Sequence, residues 1–186
     1  MADVIEAAAR ILETSGAEAL TTNMIAEVAG VSPGSVYQYF SDKQSIISAL
    51  ITREAHEFMG ESHDAIEECS GLEAMIAFSK ALTLHRLQRP KLTLQLILLD
   101  PTLTASSESG KINEEIYNLL VDIVNESSVL DDKKASVFVM DIMAIMRGMM
   151  LGEFLNQGRS DDLPDRIADA VAGYWSRRIQ TVSECN

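Results

Sequence analysis

Apolar residues recur along this chain at helical spacing almost from end to end. Val4, Ile5, Ala8, Ile11 and Leu12 fall on one stripe of a segment running from Asp3 to Ser15, with Glu6, Arg10 and Glu13 opposite and Gly16 as its stop. Ile25, Ala26, Val28 and Ala29 form a second, shorter stripe that Thr21 or Thr22 is placed to cap and Gly30 to end. Ser32-Pro33 restarts a helix with a cap and a proline in its first turn. Ser41 to Gln44 has the form of a capping box before a long helix carrying Ile46, Ile47, Leu50, Ala55 and Phe58, which is expected to reach Cys69. Further stripes predict helices from Leu72 to Leu87, Lys91 to Leu99, Lys111 to Asn125, Asp131 to Gln157 and Asp162 to Ile179. A loop rich in serine and threonine is expected from Asp100 to Gly110, and Gly158 is expected to end the eighth helix. No stretch alternates with the period of a strand. The pattern predicts an all-α chain of about nine helices.

Residues 21–40, TTNMIAEVAGVSPGSVYQYF, read as helix, tight glycine turn and second helix. That is the helix-turn-helix arrangement, whose second helix enters the major groove of DNA. Together with VIEAAARILETSG before it and DKQSIISAL after it, this stretch resembles the DNA-binding head of the TetR/AcrR family of transcriptional regulators. The resemblance covers Ile5 to Leu50 and implies two domains: a helix-turn-helix head over 1–50, and a ligand-binding and dimerisation body over 51–186. It implies that Thr22, Ser35, Tyr37, Tyr39 and Lys43 grip phosphates, while Asn23, Pro33, Gly34 and Gln38 face base edges. Gln38 also has an independent rationale, since glutamine pairs in bidentate fashion with adenine. Phe40 is expected to pack the small core of the head, and Tyr37 to serve both core and DNA.

Charge changes this picture. The chain carries a formal net charge of −13, and affinity for DNA arises in large part from neutralising phosphates with lysine and arginine. Met24 stands where relatives often carry a base, which leaves Lys43 as the obvious cation beside the recognition helix. Two readings therefore stay open. One is a regulator, most simply a repressor, that binds a pseudo-palindromic duplex operator as a homodimer and is released by a small hydrophobic effector. The other is a ligand- or protein-binding dimer of the same build whose DNA binding is weak or lost.

The body supplies the remaining chemistry. The segment VFVMDIMAIMRGMMLGEFL has more apolar surface than one core uses, and the resemblance implies a four-helix seam between two subunits built from the last two helices. Gly148 and Gly152, four apart, allow close helix approach there, with Tyr174 and Trp175 beside them. Leu82, His85, Leu94, Leu98, Tyr117, Met143 and Arg147 are the expected effector contacts, and Gln95 is a further polar group on an apolar helix. The nearly all-apolar segment LTLQLILL is expected to be packed on every side.

His56, His63 and Glu67 lack the ligands to complete a metal site, so no metal and no cofactor are expected. Cys69 and Cys185 fit reduced thiols of a cytoplasmic protein. The chain shows no phosphate loop, dinucleotide fingerprint or nucleophile elbow, which excludes the common enzyme classes those motifs mark. No uninterrupted run of 18 apolar residues occurs, and Asp141, Arg147 and Glu153 interrupt the most apolar segment, so no membrane span is expected.

Overall fold

A computed structural model describes residues 1–99, 108–127, 130–156 and 161–183. Among these residues the chain forms α1 (Ala2–Ala19), α2 (Thr22–Ala29), α3 (Pro33–Tyr37), α4 (Lys43–Ile66), α5 (Gly71–Gln88), α6 (Pro90–Leu99), α7 (Glu108–Ser127), α8 (Asp132–Leu155) and α9 (Leu163–Ser183), with no strand. The all-helical reading holds. The loop expected from Asp100 lies outside the described residues except for Glu108 to Gly110, which are helical, and the stop at Gly158 also lies outside them.

The chain divides into two compact units, with α4 and α7 each contributing to both. The first comprises residues 1–57 and 89–113, the second residues 58–88 and 114–186. In the first, the predicted stripe of α1 is buried, and Ile11 and Leu12 share one core with Leu20, Ile25, Val36, Phe40, Ile46, Leu50, Leu92 and Leu96. Burying an aliphatic side chain such as Leu12 contributes about 1.5–3 kcal/mol, so this cluster is what holds α1 against the helix-turn-helix. Gly16, at φ +76°, breaks α1 where predicted, but the chain resumes a last turn through Ala19. The α4 cap also differs from expectation by one position. Asp42 accepts from the Ser45 amide at 2.7 Å, and the Ser45 hydroxyl accepts from the Asp42 amide at 3.3 Å. The reciprocal pairing of a capping box is thus made by Asp42 and Ser45 rather than Ser41 and Gln44.

In α6, Leu92 and Leu96 are buried while Leu98 is 54% exposed, so this helix is not packed on every side. In the second unit, α9 packs against both α5 and α8. Phe138 of α8 meets Trp175 of α9 edge to face with ring centres 5.2 Å apart, and Phe58 meets Phe78 in the same way. Lys133–Leu155 is, by length and composition alone, long and apolar enough to cross a bilayer, with a mean hydropathy of 1.5 in its most apolar window. It carries Asp141 at its middle, which accepts a hydrogen bond from Tyr174 of α9, and it buries Ala135, Phe138, Val139, Ile142, Met146 and Met150. Only 33% of that apolar window is buried, and the carboxylate within it is bonded to a neighbouring helix.

Candidate nucleic-acid interface

The helix-turn-helix is built by local chemistry that the sequence specifies residue by residue. The Thr21 side chain accepts from the Met24 amide at 3.2 Å and starts α2. Gly30, at φ +69°, closes that helix in the left-handed conformation, and the Val31 amide then returns to the Ala26 carbonyl at 2.9 Å. The Ser32 hydroxyl accepts from the Ser35 amide at 3.1 Å, and Pro33 takes the first position of α3, where a missing N–H costs nothing. Val36 and Phe40 turn inward and are buried, so Phe40 is a core residue, as expected.

What remains outward is a coherent surface. Asn23, Pro33, Gly34, Tyr37, Gln38, Tyr39 and Lys43 are exposed, and Thr22 and Ser35 are half-buried. Tyr37 and Tyr39 expose 56% and 63% of their surface, which is unusual for tyrosines with a core beneath them. A Cβ added at Gly34 would meet nothing nearer than the Ser32 hydroxyl at 3.7 Å, so the helix start is slim. Asp42 is held below the usual carboxylate range, first by the Ser45 amide, so it stays charged beside Lys43.

Behind this surface lies an ion-pair cluster that periodicity did not reveal. Arg89 donates to Glu13 through Nε and Nη2, both at 2.8 Å, and to Glu6 at 3.3 Å. Arg53 donates to Glu6 at 3.0 Å and to Glu54 at 2.6 Å. Burial pulls the Glu6 carboxyl upward, but the bonds and charges of Arg89 and Arg53 outweigh it and leave Glu6 below its ordinary value. Thus two of the carboxylates that make the head acidic are already matched by arginines. Gln95, expected to orient a ligand, instead accepts the Ala17 amide at 3.2 Å.

The other expected residues are placed as follows. His85 is buried, its Nδ1 3.0 Å from Glu61 and its ring 5.7 Å from that of Phe58. Leu82, Leu94 and Tyr117 are half-buried, whereas Leu98, Met143 and Arg147 are exposed. A cavity of about 440 Å³ lies in the second unit over Ile66, Ala74, Leu119 and Ile123, edged by Glu67 and Asp122, and none of the seven expected effector contacts lines it. Gly148 is exposed and Gly152 half-buried, with nothing within 4 Å of a Cβ at either. They share α8 with exposed Val137, Met140, Met143 and Leu155. Tyr174 is half-buried and bonded to Asp141. Trp175 departs from the expected seam: only 5% exposed, it is used inside its own unit against Phe138.

A capped helix, a glycine turn and a short second helix with an outward polar and aromatic surface define a helix-turn-helix DNA-binding protein. Residues 4–50 match the model of the bacterial regulatory proteins of the tetR family, a class of DNA-binding transcriptional regulators rather than enzymes. Over 184 residues the chain is 26% identical to ArpR of Pseudomonas putida, named as a probable HTH-type transcriptional regulator, covering 94% of this chain and 79% of that one. It is likewise 26% identical to TtgR, an HTH-type transcriptional regulator of Pseudomonas putida, covering 82% and 69%. The fold is similar to that of FadR from Bacillus subtilis, solved in complex with stearoyl-CoA, with a TM-score of 0.74 at 17% identity over 92% of this chain and 97% of that one.

Proposed function

We propose that this chain is a ligand-responsive repressor that binds a pseudo-palindromic operator as a homodimer and is released by a small hydrophobic effector. The observation that carries the reading is the outward surface of Asn23, Pro33, Tyr37, Gln38, Tyr39 and Lys43 over a closed core. Tyrosine hydroxyls and Lys43 donate to phosphate, and Gln38 offers paired donor and acceptor groups to a base edge. The apolar stripe of Val137, Met140, Met143 and Leu155, with bare Gly148 and Gly152, supports a second copy of α8 and α9 as the partner, with Tyr174 at the edge of that seam. Two heads so joined meet major grooves about 34 Å apart.

Effector contacts in the second unit are assigned to Leu82, His85, Tyr117, Met143 and Arg147, in which two apolar side chains stand with the polar groups of a histidine, a tyrosine and an arginine. The FadR complex with stearoyl-CoA makes a long acyl group a suitable first candidate. Such an effector releases the operator only through its differential affinity for the two states of the dimer. The reading places the protein with the chromosome, in the bacterial cytoplasm.

Selection from random duplexes at low salt, followed by anisotropy titration of the enriched sequence with and without palmitoyl- or stearoyl-CoA, tests it. Enrichment of one inverted repeat, bound by the dimer and weakened by the acyl ligand, is the expected result. The second reading, a sensing dimer with weak or lost DNA binding, is favoured by the net charge of −13 and by Met24 in place of a base. Failure to enrich any sequence establishes it instead.

A further inference from the structure

We propose that the operator-binding head of this chain extends beyond the helix-turn-helix segment to include α6, and that Arg89 and Gln95 are positioning residues for it. The proposal rests on the reading that the head binds an operator.

Three unlike interactions tie the start and middle of α6 to α1. The first is ionic. Arg89 is the single residue between α5 and α6, and its guanidinium forks onto Glu13 at 2.8 Å through two nitrogens and reaches Glu6 at 3.3 Å. Glu6 and Glu13 are seven residues apart, so they stand on one face of α1, two turns from each other. A planar fork meeting a carboxylate through two parallel bonds fixes orientation as well as distance, which a single lysine contact does not. The second is a hydrogen bond at a defect. The left-handed Gly16 interrupts the helical ladder, and the Ala17 amide donates to the Gln95 side chain at 3.2 Å. The third is apolar: Leu92 and Leu96 are buried in the same cluster as Ile11, Leu12 and Leu20. All three end on α1, the helix that braces α2, so the setting of α1 under the recognition surface is held by residues about 80 positions away in sequence.

This assigns a role to Gln95, whose polarity on an apolar helix otherwise has no use, and to a chain break at Gly16 that a plain brace helix does not need. It also explains why the compact unit containing residues 1–57 takes in residues 89–113, although the family model ends at residue 50.

The test uses full-length dimer and four variants: Arg89→Gln, Arg89→Glu, the swap Arg89→Glu with Glu13→Arg, and Gln95→Ala. Operator affinity is read by anisotropy at fixed salt, and α1 by amide hydrogen exchange. Arg89→Glu is expected to weaken operator binding about tenfold, the scale of losing a two-bond charged contact, and the swap to recover it to within about threefold. Gln95→Ala is expected to speed exchange at the Ala17 amide about tenfold and to weaken operator binding by a smaller factor.

Arg89→Gln, which carries no repulsive charge, keeps the test open if Arg89→Glu fails to fold. Operator affinity unchanged in Arg89→Gln and Gln95→Ala overturns the proposal. So does a swap that restores exchange protection without restoring affinity. If the wild type binds no duplex, the operator reading itself has failed. The tie is then judged by exchange alone, where unaltered protection of Ala17 in Gln95→Ala overturns it.

Discussion

Helix α1 in the first unit and helix α8 in the second are both strongly apolar, and they use that character differently. α1 hides Val4, Ile5, Ala8, Ile11 and Leu12 and turns charge outward, where Glu6 and Glu13 find arginines. α8 hides Phe138, Val139, Ile142, Met146 and Met150 on one side, yet leaves Met140 62% exposed on the other, with Val137, Met143 and Leu155. The core of the first unit is closed by its own helices. The other unit leaves a face that the described residues do not cover, flanked by glycines whose Cβ positions are open among them. A contiguous apolar patch on an exposed helix marks an interaction site, whereas scattered apolar residues do not.

The strongest way to break that comparison is to block the face. Gly148→Arg adds a long charged side chain where a single chain has only open space. The monomer should fold normally, while dimerisation weakens by on the order of a hundredfold or more, because an obligate seam of about 2,000 Å² or larger does not tolerate a buried unpaired charge. Light scattering at micromolar concentration, alongside circular dichroism, reads both. A native-like dimer in this variant places the interface elsewhere.

Next in size is a paired truncation. Leu12→Ala, at a side chain 1% exposed, should cost about 2–5 kcal/mol in denaturant unfolding. Met140→Ala should leave the stability of a monomeric background within about 0.5 kcal/mol, as surface changes do. Equal losses at the two positions would erase the distinction between them.

Smaller again is the effect at the recognition surface. Gln38→Ala should relax base preference at one operator position, at a cost of about 1–3 kcal/mol, whereas Lys43→Ala should weaken all duplexes alike and lower the salt slope by about one unit. Competition titrations with single-base operator variants separate the two behaviours.

The smallest effect is acid sensitivity. Because Glu6 titrates below its ordinary 4.5 in the folded head, its contribution is present above that value and disappears as the pH falls through the lowered one. For a carboxylate about one-third exposed, that contribution is roughly 0.5–1 kcal/mol. The unfolding free energy lost between pH 6 and pH 3 should be smaller in Glu6→Gln by up to that amount, read by denaturant titration at each pH.

The parts legible in the sequence were those made by near neighbours. Thr21 reaches three residues to Met24, Gly30 acts on its own backbone, and Ser32 reaches three residues to Ser35, so their identities alone announce the helix-turn-helix. The α4 cap falls one residue later than the sequence predicts because Ser41, Asp42 and Ser45 all have capping chemistry, and only the chain path chooses between them. Periodicity puts Trp175 on a buried face without naming what covers it; the resemblance implies a second subunit there, whereas Phe138 of the same chain packs against it. The Arg89 tie was beyond reach, since its partner Glu13 lies 76 residues away and ordinary surface charges look the same. Gln95 did carry a signal, a lone polar residue on an apolar helix, but its partner is a backbone amide exposed by a break on another helix.

The packing of α5 on α9 also has a consequence during synthesis. α5 ends at Gln88 and α9 begins at Leu163, so roughly 75 residues are made between them, a delay on the order of 4–15 s at ordinary elongation rates. The first unit, by contrast, has all its segments once residue 113 has emerged. A nascent chain therefore carries the segments of a finished head while the α9-facing side of α5 is still uncovered, and the hazard of aggregation during translation falls on that side until α9 is made.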